Sequence, residues 1–293
     1  MLFLPQYWKW RSASIVPLFL GAFLLAQPLR GQFSSGVNLV EVYATVTDRD
    51  GQPVTGLTAA DFQVSEDGVP QPITTFAGGE FPLSITIALD RSFSMAGAPL
   101  ARSKQAARSF IAALTPTDEV MVLAIGSEVE TITPPVPARE AAATRWEAIE
   151  AWGTTPLYDA SVQALDAIQA RRGRRALLLI SDGIDRDSGT TAAQLIAHAR
   201  QSGVLVYPVA IGRTRPPLFG ELANVTGGRS FFIDDPARLE AQLAILAREL
   251  RFQYLLGYAP PERSGSDSVW RSIQVSVSKP DARVRARDGY FSR

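Results

Sequence analysis

The chain has 293 residues, of which 46% are hydrophobic, with 29 basic and 29 acidic side chains, one histidine and no cysteine. This charge balance excludes the basic footprint of a nucleic-acid-binding surface. The lack of cysteine excludes disulfides, thiolate metal sites and a cysteine nucleophile. The length suits one large domain or one domain with additions.

The first 31 residues have the pattern of an export signal. Lys9 and Arg11 precede an apolar run from Ile15 to Ala26. That run is too short to span a bilayer but long enough for the hydrophobic part of a secretory signal. We therefore predict a signal peptide at residues 1–31, with an uncleaved anchor as the alternative. The protein is then exported, to the periplasm, the cell surface or the medium, with no spanning membrane segment after signal cleavage.

Residues 37–78 are predicted to form an N-terminal β segment. From Val40 to Thr47 apolar and polar residues alternate, which is the period of a half-buried strand. Turn-forming residues follow at 48–51, and again at 66–68, where they are predicted to join strands 62–65 and 72–76. Turn chemistry explains the acidic residues of this segment better than a calcium site does.

Strands and helices alternate over residues 81–250. Such repeated βα units predict a doubly wound, mostly parallel, Rossmann-like sheet that is covered by helices on both faces. The helices are predicted at 102–114, 139–152, 157–171, 190–201, 217–226 and 235–250. Strands are predicted before Asp90 and at 120–125, 175–181 and 204–211.

Residues 251–293 return to a β pattern. Strands are predicted at 252–258 and 269–278, and residues 283–287 are expected to pair with the second of these. So few strands cannot bury a hydrophobic core by themselves. We therefore expect this C-terminal β segment to pack with the N-terminal one as a small β-sandwich beside the α/β domain.

The strand that begins at Ser84 breaks into Asp90-x-Ser92-x-Ser94, which a helical pattern follows. In an extended segment, side chains at i, i+2 and i+4 point the same way, so one carboxylate and two hydroxyls would converge. Three hard oxygens suit Mg²⁺, Mn²⁺ or Ca²⁺. The alternative is that the two serines cap the following helix.

Two later stretches place further oxygens at strand and helix ends. Thr155 lies in a Gly-Thr-Thr-Pro-Leu-Tyr-Asp stretch that opens a helix, and Asp182 ends the apolar strand Leu-Leu-Leu-Ile-Ser-Asp. Ligands of parallel sheets bind outside the carboxyl ends of the strands. Asp90 and Asp182 are both predicted at such ends, so the metal interpretation and the fold interpretation agree.

Together these stretches resemble the von Willebrand factor type A (VWA) domain over about residues 81–250. In that family they form a metal-ion-dependent adhesion site (MIDAS), and all five positions are present here. The resemblance implies that a divalent cation, Mg²⁺ in preference to Mn²⁺ or Ca²⁺, is held by Asp90, Ser92, Ser94, Thr155 and Asp182. It also implies a protein partner whose Asp or Glu carboxylate completes the coordination. The flanks resemble the bacterial secreted subgroup of such proteins.

Arg91, Phe93 and Asp185 are candidate partner-facing residues beside this site. An ion pair is the alternative for Arg91, and a solvated loop is the alternative for Asp185. Asp159 is expected to order its loop by hydrogen bonds without binding metal. His198, the single histidine, is expected on a helix surface.

The predicted function is an exported, metal-dependent protein-binding module for adhesion or assembly, and not an enzyme. One alternative is a structural envelope protein whose metal site is unused. A more remote one is a metal-dependent hydrolase with Asp90 as nucleophile. Such chemistry usually needs a second acid two residues on, where Ser92 stands. In some relatives the last helix, here 235–250, shifts on ligand binding, and the same shift is a hypothesis for this chain.

Overall fold

The computed structural model describes residues 39–171, 173–261 and 268–292, so the predicted signal segment 1–31 lies outside the described residues. The strands are β1 (Val40–Thr47), β2 (Phe62–Glu66), β3 (Val69–Gln71), β4 (Thr75–Gly79), β5 (Leu83–Asp90), β6 (Glu119–Ile125), β7 (Val129–Pro137), β8 (Arg174–Ser181), β9 (Leu205–Ile211), β10 (Phe231–Ile233), β11 (Gln253–Tyr258), β12 (Trp270–Val277), β13 (Arg283–Arg285) and β14 (Gly289–Phe291). The α-helices are α1 (Ala98–Ala112), α2 (Ala138–Ala141), α3 (Leu157–Gln169), α4 (Ala192–Ser202), α5 (Pro217–Thr226) and α6 (Leu239–Arg251).

The central sheet has six strands in the order β10-β9-β8-β5-β6-β7. The first five are parallel, and β7 runs antiparallel to β6 at the edge. β5 lies between β8 and β6, with Leu89 opposite Ile180 and Asp90 opposite Ile125. The strands therefore end together at one edge of the sheet, and Asp90 and Ser181 finish neighbouring strands there.

Helices cover both faces of this sheet because its strands are apolar on both sides. Ile85, Ile87 and Leu89 of β5 face a core that includes buried residues of α1 and α6. Ala88, one residue out of phase, belongs to a second core with α3, α4 and α5. Side chains that alternate between two cores are what a buried parallel strand requires. The predicted doubly wound, mostly parallel fold is confirmed.

Two four-stranded antiparallel sheets form the predicted β-sandwich. Their strand orders are β13-β1-β11-β4 and β14-β12-β2-β3, so each sheet combines strands from both ends of the described chain. The inner faces share one core, in which Val42 of β1 lies with Val64 of β2 and Tyr254 of β11. Only Phe252 separates the end of α6 from β11, so the last helix runs directly into the sandwich.

The turn at 66–68 does not join strand 62–65 to a strand at 72–76, as was predicted, but to β3. Asp67 and Gly68 both have positive φ, 49° and 78°, which is the conformation of a two-residue hairpin turn. Glu66 therefore pairs directly with Val69, and the partner of β2 is β3. The chain then leaves this sheet, and β4 pairs with β11 in the other one.

The predicted pairing of residues 283–287 with strand 269–278 is also wrong. β12 has β2 and β14 as its neighbours, whereas β13 pairs with β1 through Thr45 opposite Arg285. A turn in which Asp281 has a φ of 65° carries the chain from one sheet to the other. Arg285 then reaches Glu249 of α6 and forms an ion pair with it.

The helix predicted over 139–152 is wrong as well, since α2 ends at Ala141. The Thr144 hydroxyl donates to the carbonyl of Ala141 at 2.7 Å and lies 2.8 Å from the Thr133 hydroxyl of β7, which turns the chain. Trp146 is then buried in the core beneath the sheet. β7 itself was not predicted because its three prolines disfavour a strand, but an edge strand with register shifts tolerates them.

Two helices start four residues away from their predicted starts. α1 begins at Ala98, four residues before the predicted start, because Pro99 fits the first turn of a helix. α6 begins at Leu239, after a separate turn of 3₁₀ helix. In the described parts of the chain, no helix has the length and apolar character needed to cross a membrane.

Candidate metal centre

The first loop of the site follows Asp90 at the end of β5. The predicted extended geometry is wrong here, because residues Phe93–Met95 form a turn of 3₁₀ helix. The turn nevertheless brings the oxygens together. Ser92 and Ser94 have their Oγ atoms 3.0 Å apart, and the Ser92 amide donates to Asp90 Oδ1 at 2.8 Å. The two hydroxyls therefore lie beside the carboxylate, as the sequence predicts, although by a different backbone route.

Asp90 is fully buried at the centre of the site. Its Oδ2 accepts a 2.6 Å hydrogen bond from Ser181 Oγ, and its Oδ1 lies 3.4 Å from Thr155 Oγ1. Burial raises the pKa of this carboxyl, the hydrogen bonds from Ser181 and Ser92 oppose that rise, and the nearby charge of Asp182 adds to it. Among the described residues, no Lys, Arg or His forms an ion pair with Asp90 or Asp182.

The second loop carries Thr155, which is buried and follows Trp152 and Gly153. Two backbone hydrogen bonds join this loop to the first one. The Phe93 amide donates to the Gly153 carbonyl at 3.1 Å, and the Trp152 amide donates to the Arg91 carbonyl at 2.7 Å. The two loops therefore hold each other in place, which fixes Thr155 relative to Asp90.

The third loop begins at Asp182, directly after β8. Its Oδ1 accepts from the Ile184 amide at 2.9 Å. Gly183 between them has a φ of 78°, and a side chain there would collide with Pro216. The Arg186 amide donates to the Thr155 carbonyl at 2.8 Å, so the third loop is joined to the second.

Two acids near the site hold loops. Asp159 accepts from the amides of Gly189 and Thr190, both at 2.8 Å, so it orders its loop as predicted. Asp185 accepts from the Tyr158 amide at 3.0 Å and from Ser188 Oγ at 2.5 Å. Its carboxylate is therefore occupied by the start of α3 and by its own loop.

Arg91, Phe93 and His198 are the other residues that the sequence analysis singled out. Arg91 forms the ion pair, at 2.8 Å from Glu130, and its guanidinium lies 5.4 Å from the centre of the Trp152 ring. Phe93 is 66% exposed, next to the two serines. His198 lies on α4 with its Nε2 2.7 Å from Asp166, which is the predicted helix-surface position.

Sequence reasoning missed Ser181, whose hydroxyl makes the shortest described contact to Asp90. Ser181 is fully buried, donates to Asp90 and accepts from the Gly183 amide at 3.0 Å. The signal was a hydroxyl residue directly after the apolar run of a buried strand and immediately before the acid. It also missed that Trp152 and Ile184 are large exposed apolar residues on the second and third loops.

The donor set fits a hard divalent cation. Within the described residues, no three His, Cys, Asp or Glu side chains are clustered in a way that could hold a metal. The site is instead two carboxylates with three hydroxyl side chains. Oxygen-only sets of this kind suit Mg²⁺, Mn²⁺ or Ca²⁺ better than metals that prefer nitrogen or sulfur.

Comparison with known proteins agrees with this fold. Residues 85–184 match the family model of the von Willebrand factor type A domain. A VWA protein from Catenulispora acidiphila superposes with a TM-score of 0.51, at 16% identity over 78% of this chain and 74% of that one. Proximal thread matrix protein 1 from the mussel byssus, solved with a zinc-occupied MIDAS motif, also gives 0.51, at 11% identity over 64% of this chain and 50% of its own. At such identities the likeness shows the fold alone.

One human protein, calcium-activated chloride channel regulator 4, is 26% identical over 163 residues, which is 53% of this chain. The match spans only 17% of the length of that human protein. Its activity as a whole is therefore no guide to this chain. The family-model match supports a von Willebrand factor type A domain over residues 85–184, and the structural neighbours agree with the fold of such a domain.

Proposed function

We propose that this chain is an exported, metal-dependent protein-binding module for adhesion or assembly. In this proposal a divalent cation, Mg²⁺ in preference to Mn²⁺ or Ca²⁺, is held by Asp90, Ser92, Ser94, Thr155 and Asp182. The observation that carries it is that a fully buried carboxylate, Asp90, has hydroxyl neighbours and a second carboxylate but no basic partner among the described residues.

A buried carboxylate without a counter-charge is costly. Moving an ion out of water into a real protein costs on the order of several kcal/mol, even after the surroundings have relaxed. Hydrogen bonds from Ser181 and the Ser92 amide offset part of this cost. Asp182 adds to it, since its charge has the same sign. A cation between the two acids reverses the sign of that interaction, and the hydroxyls of this site suit such an ion.

The residues of the proposed site have different roles. Asp90 and Asp182 supply negative charge, and Ser92, Ser94 and Thr155 supply neutral oxygens. Ser181 holds the Asp90 carboxylate by its second oxygen. When bound, the ion supplies a Lewis-acidic position for a partner's carboxylate. Because the three loops are joined by backbone hydrogen bonds, these side chains are held in place before any ligand arrives.

Domains of this type often mediate protein–protein adhesion or assembly and are generally not enzymes. We therefore propose binding, and we assign no catalytic role to Asp90. Export is part of the proposal and depends on residues 1–31, where a signal pattern precedes the domain. Mass analysis of the N-terminus of protein recovered from the periplasm, cell surface or medium checks it, and recovery only from the cytoplasm would contradict it.

Calorimetric titration tests the metal site. Mg²⁺ and Mn²⁺ are titrated into chelator-treated full-length protein, with and without acetate as a stand-in for a partner carboxylate. We expect saturable one-site binding in the wild type and none in Asp182→Ala. Asp187→Asn is the matched control, because Asp187 is an exposed acid of the same loop and Asn tolerates its φ of 65°. Absence of binding under both conditions would contradict the proposal.

A further inference from the structure

The face that surrounds the candidate metal centre carries exposed apolar side chains. Among the described residues six large hydrophobic side chains are exposed, and three of them lie on the three site loops. These are Phe93 at 66%, Trp152 at 44% and Ile184 at 50%. Single exposed apolar residues need no explanation. Three on consecutive site loops form an apolar rim, a feature that marks an interaction surface.

The loops that carry the apolar rim are joined to one another. The Phe93 and Trp152 loops are joined by two backbone hydrogen bonds, and the Ile184 loop is joined to Thr155 by another. The guanidinium of Arg91 packs over the Trp152 ring, and Glu130 holds that guanidinium. A preorganised surface loses little entropy on binding, so the area that it buries contributes more fully to affinity.

Charges outside the apolar rim differ between its two sides. Beside Trp152, the β6–β7 turn presents the exposed acid Glu128, whereas Glu130 is paired with Arg91. The Thr154 amide donates to Ser127 of that turn. On the other side, the loop after β9 presents the exposed bases Arg213 and Arg215. That loop continues into Pro216, which packs against Gly183 next to Asp182. The face therefore runs from acidic to basic across the site.

We propose that the partner presents its carboxylate on a segment in which the acid is flanked by large apolar side chains. This inference rests on the proposed function, since the carboxylate is to meet the cation. The other features of the segment follow from complementarity with the surface. The metal centre binds one negative group, and the apolar rim contacts the uncharged apolar residues beside it. Farther out, Glu128 favours basic residues of the partner and Arg213 favours acidic ones. The segment therefore binds in one direction.

Selection from a displayed peptide library tests this. Short peptides with one fixed central Asp and randomised flanks are bound to the full-length protein in Mg²⁺ and eluted with acid, so that recovery does not depend on the metal. We expect large apolar residues beside the Asp, with basic residues enriched at one end and acidic residues at the other. Retained peptides whose flanks have the same composition as the starting library would overturn the inference.

Variants then separate the inference from the proposed function. With an enriched peptide, we expect Phe93→Ser or Ile184→Ser to weaken binding about tenfold, as for a side chain at the centre of an interface. Mg²⁺ binding should be unchanged in both variants. Val69→Ser is the matched control, because Val69 is 54% exposed but lies in the sandwich.

Each outcome has one meaning. Binding that needs Mg²⁺ and Asp182 but ignores Phe93 and Ile184 overturns the inference and leaves the proposed function standing. Binding that needs Phe93 but survives chelator and Asp182→Ala overturns the proposed function and the carboxylate part of the inference. If no peptide is retained, and Phe93 is instead needed for binding to anionic vesicles or for self-association, the peptide partner is ruled out. The partner is then a membrane or a second copy of this chain.

Discussion

Asp90 and Glu249 are both carboxylates with almost no solvent exposure, 0% and 1%, but their surroundings differ. Glu249 of α6 lies between Arg285 of β13, with which it forms an ion pair, and Arg229, whose Nη1 is 3.5 Å away. Asp90 has hydroxyls, an amide and the like charge of Asp182. The chain neutralises one buried acid internally. Among the described residues no basic side chain pairs with the other, for which we propose a cation from outside.

A third buried acid shows that hydroxyl donors alone do not mark a metal centre. Glu66 is 2% exposed and accepts hydrogen bonds from Tyr258 at 2.8 Å and from Tyr290 at 2.9 Å. The guanidinium of Arg287 lies 5.6 Å from the Tyr290 ring, so a cation is close to this group. The distinguishing feature of Asp90 is therefore the nearby charge of a second carboxylate, without an ion pair to any basic side chain in the described parts of the chain.

The largest expected effect comes from breaking the internally neutralised site. Glu249→Ala leaves two arginines facing a buried position, and removal of one partner from a buried ion pair typically costs about 3 kcal/mol or more. Urea unfolding of the metal-free protein measures it. Arg248→Ala, at the exposed position next to Glu249 on the same helix, is the control and should change the free energy of unfolding little. Equal stability of Glu249→Ala and wild type would contradict the comparison.

The second effect is metal-dependent. A ligand that binds only the folded state stabilises it by about 2.7 kcal/mol when present at a hundredfold excess over its Kd. We expect Mg²⁺ to raise the free energy of unfolding by this amount in the wild type and in Glu249→Ala. Asp182→Ala should show no Mg²⁺ effect, whereas Asp187→Asn should respond like the wild type. A Mg²⁺ response that persists in Asp182→Ala would place the ion elsewhere.

The third effect concerns the hydroxyl that holds Asp90. Ser181→Ala removes a 2.6 Å hydrogen bond to a buried carboxylate, and such bonds to charged groups contribute about 2 kcal/mol. Ser202→Ala is the matched control, because its buried hydroxyl bonds only to backbone groups and should cost about 1 kcal/mol. Urea unfolding of both metal-free variants measures the difference, and a smaller loss for Ser181→Ala would contradict this role.

The fold was predictable for strands that are buried on both faces, because such strands are runs of apolar residues in the sequence. β5, β8 and β9 read as apolar runs because helices cover both faces of the sheet. The segment after β7 was not predictable, because its alanines favour a helix while Thr144 and the buried Trp146 decide the structure through distant contacts. Strand partners in the sandwich likewise depend on which sheet a turn leads to.

The candidate site was predictable in its residues but not in its geometry. Asp90, Ser92 and Ser94 were identified from their spacing, although a 3₁₀ turn and not an extended segment brings them together. The part played by Ser181 depends on the register of β8 against β5, which sequence alone does not reveal. Exposure of Trp152 also depends on loop packing, since a tryptophan in an apolar context is usually expected inside.

The smallest expected change in stability is that of Asp90→Asn, which contrasts most clearly with Glu249→Ala. Asp90→Asn keeps the size of the side chain and an oxygen for the Ser92 amide, but it removes the buried charge that faces Asp182. The free energy of unfolding of the metal-free protein should therefore change by less than about 1 kcal/mol, because the lost hydrogen-bond strength and the relieved burial of charge oppose each other. The same variant should lose the whole Mg²⁺ response. If Asp90→Asn instead destabilises the metal-free protein as much as Glu249→Ala does, Asp90 is a structural acid that the chain already satisfies, and the cation is not needed to explain it.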